Sequence, residues 1–221
     1  MIERALARLA RLIAGASVRW TPPPGPPEVQ RVYFANHTSH LDFVLIWSAL
    51  PAAARARTRP IAGADYWGRG RVRRYLATRV FHAVLIERGG SRHVLPHVRD
   101  DTPDPSHGDD SRGAMKTIDA IAEAMGDDTS IIVFPEGTRS RDGTLLSFKS
   151  GLYHLCQRKP ALELVPVYLD NMTRILPKGE VLPVPLLSRV VFGAPLHLEA
   201  GEEKHAFLAR MRDALIALRD R

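Results

Sequence analysis

Short apolar, β-rich runs alternate with longer amphipathic segments along most of this sequence, and that alternation constrains the fold more than any other feature. Val29 to Ala35 and Thr129 to Phe134 have the composition of buried strands. Arg112 to Met125 and Glu202 to Arg219 have helical spacing of apolar residues. We therefore expect one α/β domain, with a mixed or largely parallel sheet flanked by helices. The other strand candidates are Val80–Ile86, Leu162–Leu169 and Arg189–Leu198, and the other helix candidates are His40–Leu50, Tyr66–Thr78 and Gly151–Arg158.

Composition excludes several classes of protein. The chain has 221 residues, of which 45% are apolar and 25% charged, so it can build a core and is neither disordered nor a multi-span membrane protein. The mostly apolar stretch from Phe43 to Ala54 is shorter than the roughly 20 residues of a spanning helix. Cys156 is the single cysteine, which excludes an intramolecular disulfide framework and a cysteine-rich zinc site.

The basic residues are mostly arginine. Of 31 basic residues only the lysines at 116, 149, 159, 178 and 204 are not arginine, and the net charge is +7. The forked guanidinium suits phosphate and carboxylate groups. We therefore expect a phosphate-rich partner: nucleic acid, anionic lipid or a phosphorylated substrate.

The first segment, Met1 to Trp20, is predicted to be an amphipathic helix. Arg4, Arg8 and Arg11 lie on one basic side of this helix, and aliphatic residues occupy the other side. Such a helix can lie in a bilayer interface, or it can pack its aliphatic face on the core. The proline-rich segment 21–28 is then a stiff spacer that sets the helix apart from a main domain over residues 29–221.

The first segment whose side chains could carry out a reaction is NHTSHLD, which lies between a predicted strand and a predicted helix. His37 and Asp42 are five positions apart, so they meet only if His37 precedes the helix and Asp42 lies in its first turns, with Thr38 or Ser39 as N-cap. A carboxylate bonded to one imidazole nitrogen leaves the other as a base. His40 is a rival for this role, and a capping motif with surface histidines is the alternative.

The second segment, FPEGTRS, directly follows a strand. Pro135 ends the strand and Gly137 permits a tight turn, so Glu136 and Arg139 project at the carboxyl edge of the sheet. Arg139 could then hold a phosphate, helped by Arg141 and Lys149. The alternative is a solvated Glu–Arg surface pair.

Together, NHxxxxD and, about a hundred residues later, FPEGTRS resemble the glycerolipid acyltransferases of the 1-acylglycerol-3-phosphate type. The resemblance runs from about Val29 to Phe192. Two weaker family blocks occur in order, LIER (Leu85–Arg88) and LVPVYL (Leu164–Leu169), and FKSGLYHL (Phe148–Leu155) matches the usual continuation after FPEGTRS. Ala83 stands where the family often has glycine, and the acidic stretch Arg92 to Ser111, predicted to be a surface loop, is longer than expected.

This resemblance implies a reaction and a set of roles. His37 removes the proton of an acceptor hydroxyl that attacks an acyl thioester, and Asp42 orients His37. No covalent acyl-enzyme is implied, so neither Ser39 nor Cys156 is proposed as a nucleophile. The residues implied to bind the phosphorylated acceptor are Arg88, Glu136, Gly137, Thr138 and Arg139.

The same resemblance implies the partners. We expect a lysophospholipid acceptor, an acyl-CoA or acyl-carrier-protein donor, an anionic membrane surface, no nucleic acid, and no metal or cofactor. The protein is then peripheral, at the cytoplasmic face of a membrane. The acceptor could instead be another lyso-lipid or a glycolipid.

Two other functions remain open from the residues alone. One is a metal-dependent hydrolase with His37, His40 and Asp42 as ligands. The other is a nucleic-acid binder using the arginines between Arg55 and Arg79. A metal site on the histidines of the acidic loop, His93, His97 and His107, is a further alternative.

Overall fold

The computed structural model describes residues 7–8, 10–11, 15–39, 41–64, 70–86, 107–140, 142–170 and 188–220. The strands are β1 (Ser17–Trp20), β2 (Arg31–Ala35), β3 (Thr58–Gly63), β4 (Val84–Ile86), β5 (Ser130–Val133), β6 (Glu163–Asp170) and β7 (Arg189–Phe192). The helices are α1 (Asp42–Ala49), α2 (Ala52–Ala56), α3 (Arg71–Tyr75), α4 (His107–Met125), α5 (Gly151–Arg158) and α6 (Lys204–Ile216). A π-helical turn, Leu76–Val80, continues α3.

The strands form one seven-stranded sheet in the order β1-β7-β6-β2-β5-β3-β4. All neighbouring pairs are parallel except β6 and β7. The predicted class, a mixed and largely parallel α/β sheet flanked by helices, is therefore confirmed. Among the described residues, no helix is long and apolar enough to cross a bilayer.

Strand β2 lies in the middle of the sheet and is buried along its whole length. It pairs with β5 on one side, where Phe34 is opposite Val133, and with β6 on the other. Because both pairings are parallel, the carboxyl ends of β2 and β5 lie side by side at one edge. The segments NHTSHLD and FPEGTRS leave the sheet there.

The core has two halves, one on each face of the sheet. Successive side chains of β2 point to opposite faces, so Tyr33 packs in one half with α1, and Phe34 packs in the other with α4, α5 and α6. The predicted apolar stripe of the last helix is confirmed: Phe207, Met211 and Leu215 are fully buried.

The N-terminal prediction is wrong in one respect. Ser17–Trp20 is not the end of a helix but strand β1, which pairs with β7. Val18 and Trp20 pack against the core while Ser17 and Arg19 are exposed, which is the period of a strand. The Trp20 ring stacks on Phe192 at 3.8 Å, so the proline-rich segment does not set this part of the chain apart from the domain.

Residues 7–8 and 10–11 are helical, and Ala7 is fully buried in the core. Arg4, the remaining arginine of the predicted basic side, lies outside the described residues. Packing of this segment on the core, the alternative raised for it, therefore holds at Ala7.

Other element boundaries also differ from the predictions. The helix predicted from Arg112 begins at His107, so the loop prediction is wrong for residues 107–111. The strand predicted up to Leu198 ends at Phe192. Strand β3 was not predicted, because Arg59 and Pro60 interrupt its apolar run and it is held by pairing with β5 and β4.

We predict that Trp20→Ala lowers the free energy of unfolding by about 2 kcal/mol, because it removes a half-buried ring stacked between strands of one sheet. Urea unfolding measures this, with Tyr75→Ala, a change at an exposed ring, as the control. A change no larger than that of the control would show that β1 contributes nothing to the domain.

Candidate active site

His37 and Asp42 are brought together where β2 leads into α1. His37 lies two residues beyond the end of β2, and Asp42 is the first residue of α1. The His37 Nδ1 and Asp42 Oδ2 atoms are 2.8 Å apart. Asp42 is fully buried, whereas the His37 side chain keeps 17% of its surface exposed. The pairing predicted from the spacing is therefore present, with the imidazole facing outward from a buried carboxylate.

The turn between the two residues is held by Asp42 itself. Its Oδ2 also accepts hydrogen bonds from the backbone N–H groups of Thr38, at 2.7 Å, and Ser39, at 2.8 Å. The expectation that Thr38 or Ser39 caps α1 is wrong, because Leu41 occupies the N-cap position without a side-chain bond. Asp42 instead reaches back and satisfies the turn's donors, so one carboxylate orients both the loop and the imidazole.

The backbone of His37 is held by FPEGTRS from both sides. Its N–H donates to Glu136 Oε1 at 2.8 Å, and its carbonyl accepts from the Ser140 N–H at 2.8 Å. The imidazole ring stacks on Phe134 with 4.0 Å between ring centroids. The position of His37 therefore depends on both segments, which adjoin only because β2 pairs with β5.

Glu136 is only 2% exposed. Its second oxygen, Oε2, accepts the backbone N–H of Leu146 at 2.8 Å. Burial raises the pKa of Glu136, although the two backbone donors oppose that rise. Both carboxylate oxygens are thus engaged by backbone groups, and Glu136 does not line the cavity described next.

A cavity of about 680 Å³ opens beside His37. Its polar part holds His37, Gly137, Arg139 and Lys149. The remainder lies between the sheet and helices α4 and α5, and its apolar lining includes Ile61, Ile118, Ile121, Leu152 and Leu155. The cavity thus combines a histidine, two cations and a long apolar wall, which fits a ligand with an anionic end and a hydrocarbon end.

The turn of FPEGTRS has a conformation that glycine favours. Gly137 has φ +71°, and a side chain there would also approach the Lys149 stem. The Lys149 N–H donates to the Pro135 carbonyl at 2.7 Å, which ties the segment carrying Lys149 to this turn. Thr138 is exposed and lies outside the cavity lining.

Asn36 and Phe134 have roles that sequence reasoning missed. The Asn36 amide donates to the Leu169 carbonyl and accepts from the Leu169 N–H, both at 2.8 Å, which clamps the start of the loop to β6. Phe134 supplies the surface on which the imidazole stacks. A polar residue at the end of a buried strand is the signal that points to Asn36.

Three predicted residues, His40, Arg88 and Arg141, lie outside the described residues. Within the described part of the chain, no group of three or more His, Cys, Asp or Glu side chains could hold a metal ion. Of the acidic loop's histidines, His93 and His97 also lie outside that part.

A histidine oriented by a buried carboxylate, at the carboxyl edge of a largely parallel sheet, has the geometry that a general base requires. Comparison with known proteins defines the class of protein further. A family model described as acyltransferase matches residues 23–170, and the chain belongs to this acyltransferase family.

Named relatives agree with this membership. The chain is 33% identical over 160 residues to the 1-acyl-sn-glycerol-3-phosphate acyltransferase of Limnanthes douglasii, covering 70% of this chain and 47% of that protein. It is 27% identical over 147 residues to the alpha form from Homo sapiens, covering 66% and 42%. The chain thus spans about half the length of such relatives.

The structure of the 1-acyl-sn-glycerophosphate acyltransferase PlsC from Thermotoga maritima has the same fold. It superposes with a TM-score of 0.67 at 19% identity, covering 99% of this chain and 78% of that one.

We predict that His37 carries its proton on Nδ1 when neutral, because that nitrogen faces Asp42. Nitrogen NMR of the ¹⁵N-histidine protein, at a pH where the ring is neutral, identifies this tautomer directly, and Asp42→Ala should shift His37 toward the Nε2-protonated form. The exposed His205 serves as an internal control that should not change. A wild-type His37 protonated on Nε2 would contradict the assignment of Nε2 as the base.

Proposed function

We propose that this chain transfers a fatty acyl group from an acyl thioester to the free hydroxyl of a lysophospholipid, with 1-acylglycerol-3-phosphate as acceptor, in phospholipid biosynthesis. The observation that carries the proposal is the His37–Asp42 pair on a cavity that has both an apolar wall and two cations. The cavity volume of about 680 Å³ falls within the roughly 300–1,000 Å³ typical of small-molecule sites. The names of the relatives support this choice of acceptor.

The proposed chemistry is a direct transfer. His37 Nε2 takes the proton of the acceptor hydroxyl as its oxygen attacks the thioester carbonyl, while Asp42 stabilises the imidazolium that forms. The tetrahedral intermediate then collapses, the carbon–sulfur bond breaks, and the leaving thiolate takes the proton from His37. The thioester is exchanged for an ester, and the histidine ends in its starting state.

The enzyme's own side chains do not form an acyl intermediate in this proposal. Burial raises the pKa of the Cys156 thiol to about 12, and its helix packs it in the core. Ser39 is buried as well, and its backbone N–H is engaged by Asp42.

Substrate binding is divided between the two parts of the cavity. Arg139 and Lys149 bind the acceptor phosphate, with Arg88 and the backbone near Gly137 and Thr138 as further proposed contacts. The apolar wall holds acyl chain. We propose that Glu136 positions His37 and does not touch the acceptor, since backbone N–H groups occupy both of its oxygens.

The wider setting is proposed on the same basis. The donor is acyl-CoA or acyl-carrier protein, and the reaction needs no metal or resident cofactor. The lipid acceptor places the protein at an anionic membrane surface, peripherally, on the cytoplasmic face.

A thioester-release assay against a panel of lysophospholipid and lyso-glycolipid acceptors tests the proposal. We expect thiol release that depends on the acceptor and is fastest with 1-acylglycerol-3-phosphate. His37→Ala should lower kcat about 10²- to 10⁴-fold, because it removes the general base, while the circular dichroism spectrum stays unchanged. Near-normal turnover in a folded His37→Ala protein would overturn the base assignment.

Arg139→Ala and Glu136→Gln should fail in different ways. Arg139→Ala should raise the KM for the acceptor about 10- to 100-fold, because it removes a charged phosphate ligand. Glu136→Gln should lower kcat about tenfold with little change in KM, because an amide NH₂ then faces one of two backbone donors and displaces His37.

The matched control is Arg59→Ala, an exposed arginine near the amino end of β3, which should change neither parameter. If Glu136→Gln raised KM instead of lowering kcat, Glu136 would belong to the acceptor site.

A further inference from the structure

The helical segment between β3 and β4 has one buried face and one exposed face. On the buried face Ala77, Val80 and Phe81 pack into the core. The exposed face carries Arg71, Arg74, Tyr75 and Arg79, which we call the basic stripe. Tyr75 is 57% exposed, an unusual placement for a large aromatic side chain in this structure.

Within the part of the chain that the structure describes, no acidic side chain forms an ion pair with the basic stripe. The sequence contains no acidic residue from Tyr66 to Ile86, and none of the ion pairs within the described residues involves Arg71, Arg74 or Arg79. The stripe extends over about 12 Å along the helix axis, since it covers eight residue steps at about 1.5 Å each. Among the described residues, the stripe is therefore a short row of positive charges without an acidic partner, and it includes an aromatic ring.

This segment packs against α1, the helix that begins with Asp42. At its end the Phe81 ring packs edge-on against Phe43, with 5.2 Å between ring centroids, and against Trp47, at 5.1 Å. Phe43 follows Asp42 directly and lines the cavity. A partner bound to the basic stripe would thus lie one packed layer from the cavity that holds His37.

We propose that the basic stripe docks the protein on the surface of an anionic phospholipid bilayer. The arginines pair with lipid phosphates, and the Tyr75 ring lies at headgroup depth, where aromatic rings with a polar tip are favoured. Charge complementarity and the exposed ring favour a bilayer as the partner. The purpose of docking, which is delivery of a lipid to the cavity, rests on the proposed function. An acidic protein surface is the competing partner, because it would attract the same arginines.

Sedimentation of the full chain with vesicles tests the proposal, using phosphatidylcholine alone and an equimolar mixture with phosphatidylglycerol. Binding should require the anionic lipid. Arg74→Gln with Arg79→Gln should weaken it about 25-fold, from a roughly fivefold contribution of each arginine near an anionic surface. Tyr75→Ala should weaken the part of the binding that persists at high salt.

The matched control is Arg59→Gln with Arg219→Gln, which removes the same charge from exposed positions outside the stripe. Its affinity should stay within about twofold of wild type. Equal losses in both double variants would mean that only net charge matters, and an unchanged Arg74→Gln/Arg79→Gln protein would remove the stripe's role; either result overturns the proposal. If the Arg74→Gln/Arg79→Gln protein lost its binding to immobilised acyl-carrier protein but still bound vesicles, the proposal would be overturned in favour of an acidic protein partner.

Thioester release with detergent-dispersed acceptor separates this inference from the proposed function. The stripe variant should turn over such an acceptor at the wild-type rate, which also shows that it is folded. A wild-type protein that binds vesicles through the stripe but transfers no acyl group would contradict the proposed function and leave the docking surface standing.

Discussion

The parallel pairing of β2 with β5 is the constraint on which the rest of the site depends. It places the ends of two strands that are about a hundred residues apart in sequence at the same edge of the sheet, with Phe34 opposite Val133. One segment then supplies His37 and Asp42, and the other supplies Phe134, Glu136 and Arg139. Without this register the two segments would have no contact.

The local geometry uses two buried carboxylates in similar ways. Asp42 gathers the imidazole and two backbone N–H groups on one oxygen, and Glu136 joins the His37 N–H to that of Leu146. A buried carboxylate is costly unless donors reach it, so each carboxylate fixes the loops that supply its donors. Asp42 thus holds the Nδ1 atom of His37, Phe134 packs against the face of its ring, and Glu136 holds its backbone N–H. Such preorganisation favours proton transfer.

Much of the fold and of the site could be predicted from the sequence, because runs of apolar residues indicate strands and helices, and glycine and proline indicate where they end. Helix α5 has its predicted bounds, and the His37–Asp42 pair follows from spacing at a strand-to-helix junction. Strand β3 could not be predicted, since Arg59 and Pro60 break its pattern and only pairing makes it a strand. The contacts of Glu136 were also out of reach, because residue type does not show which backbone N–H groups will face a side chain. β1 was missed because four alternating residues followed a stretch with helical periodicity.

Direct transfer between two bound substrates is the central claim, and a single-turnover experiment with radiolabelled acyl thioester tests it most directly. Without acceptor, the account predicts neither thiol release nor label on the protein after denaturation. With 1-acylglycerol-3-phosphate, it predicts one thiol released for each labelled diacyl product. A burst of thiol release that leaves label on the protein, or steady release without acceptor, would contradict the account.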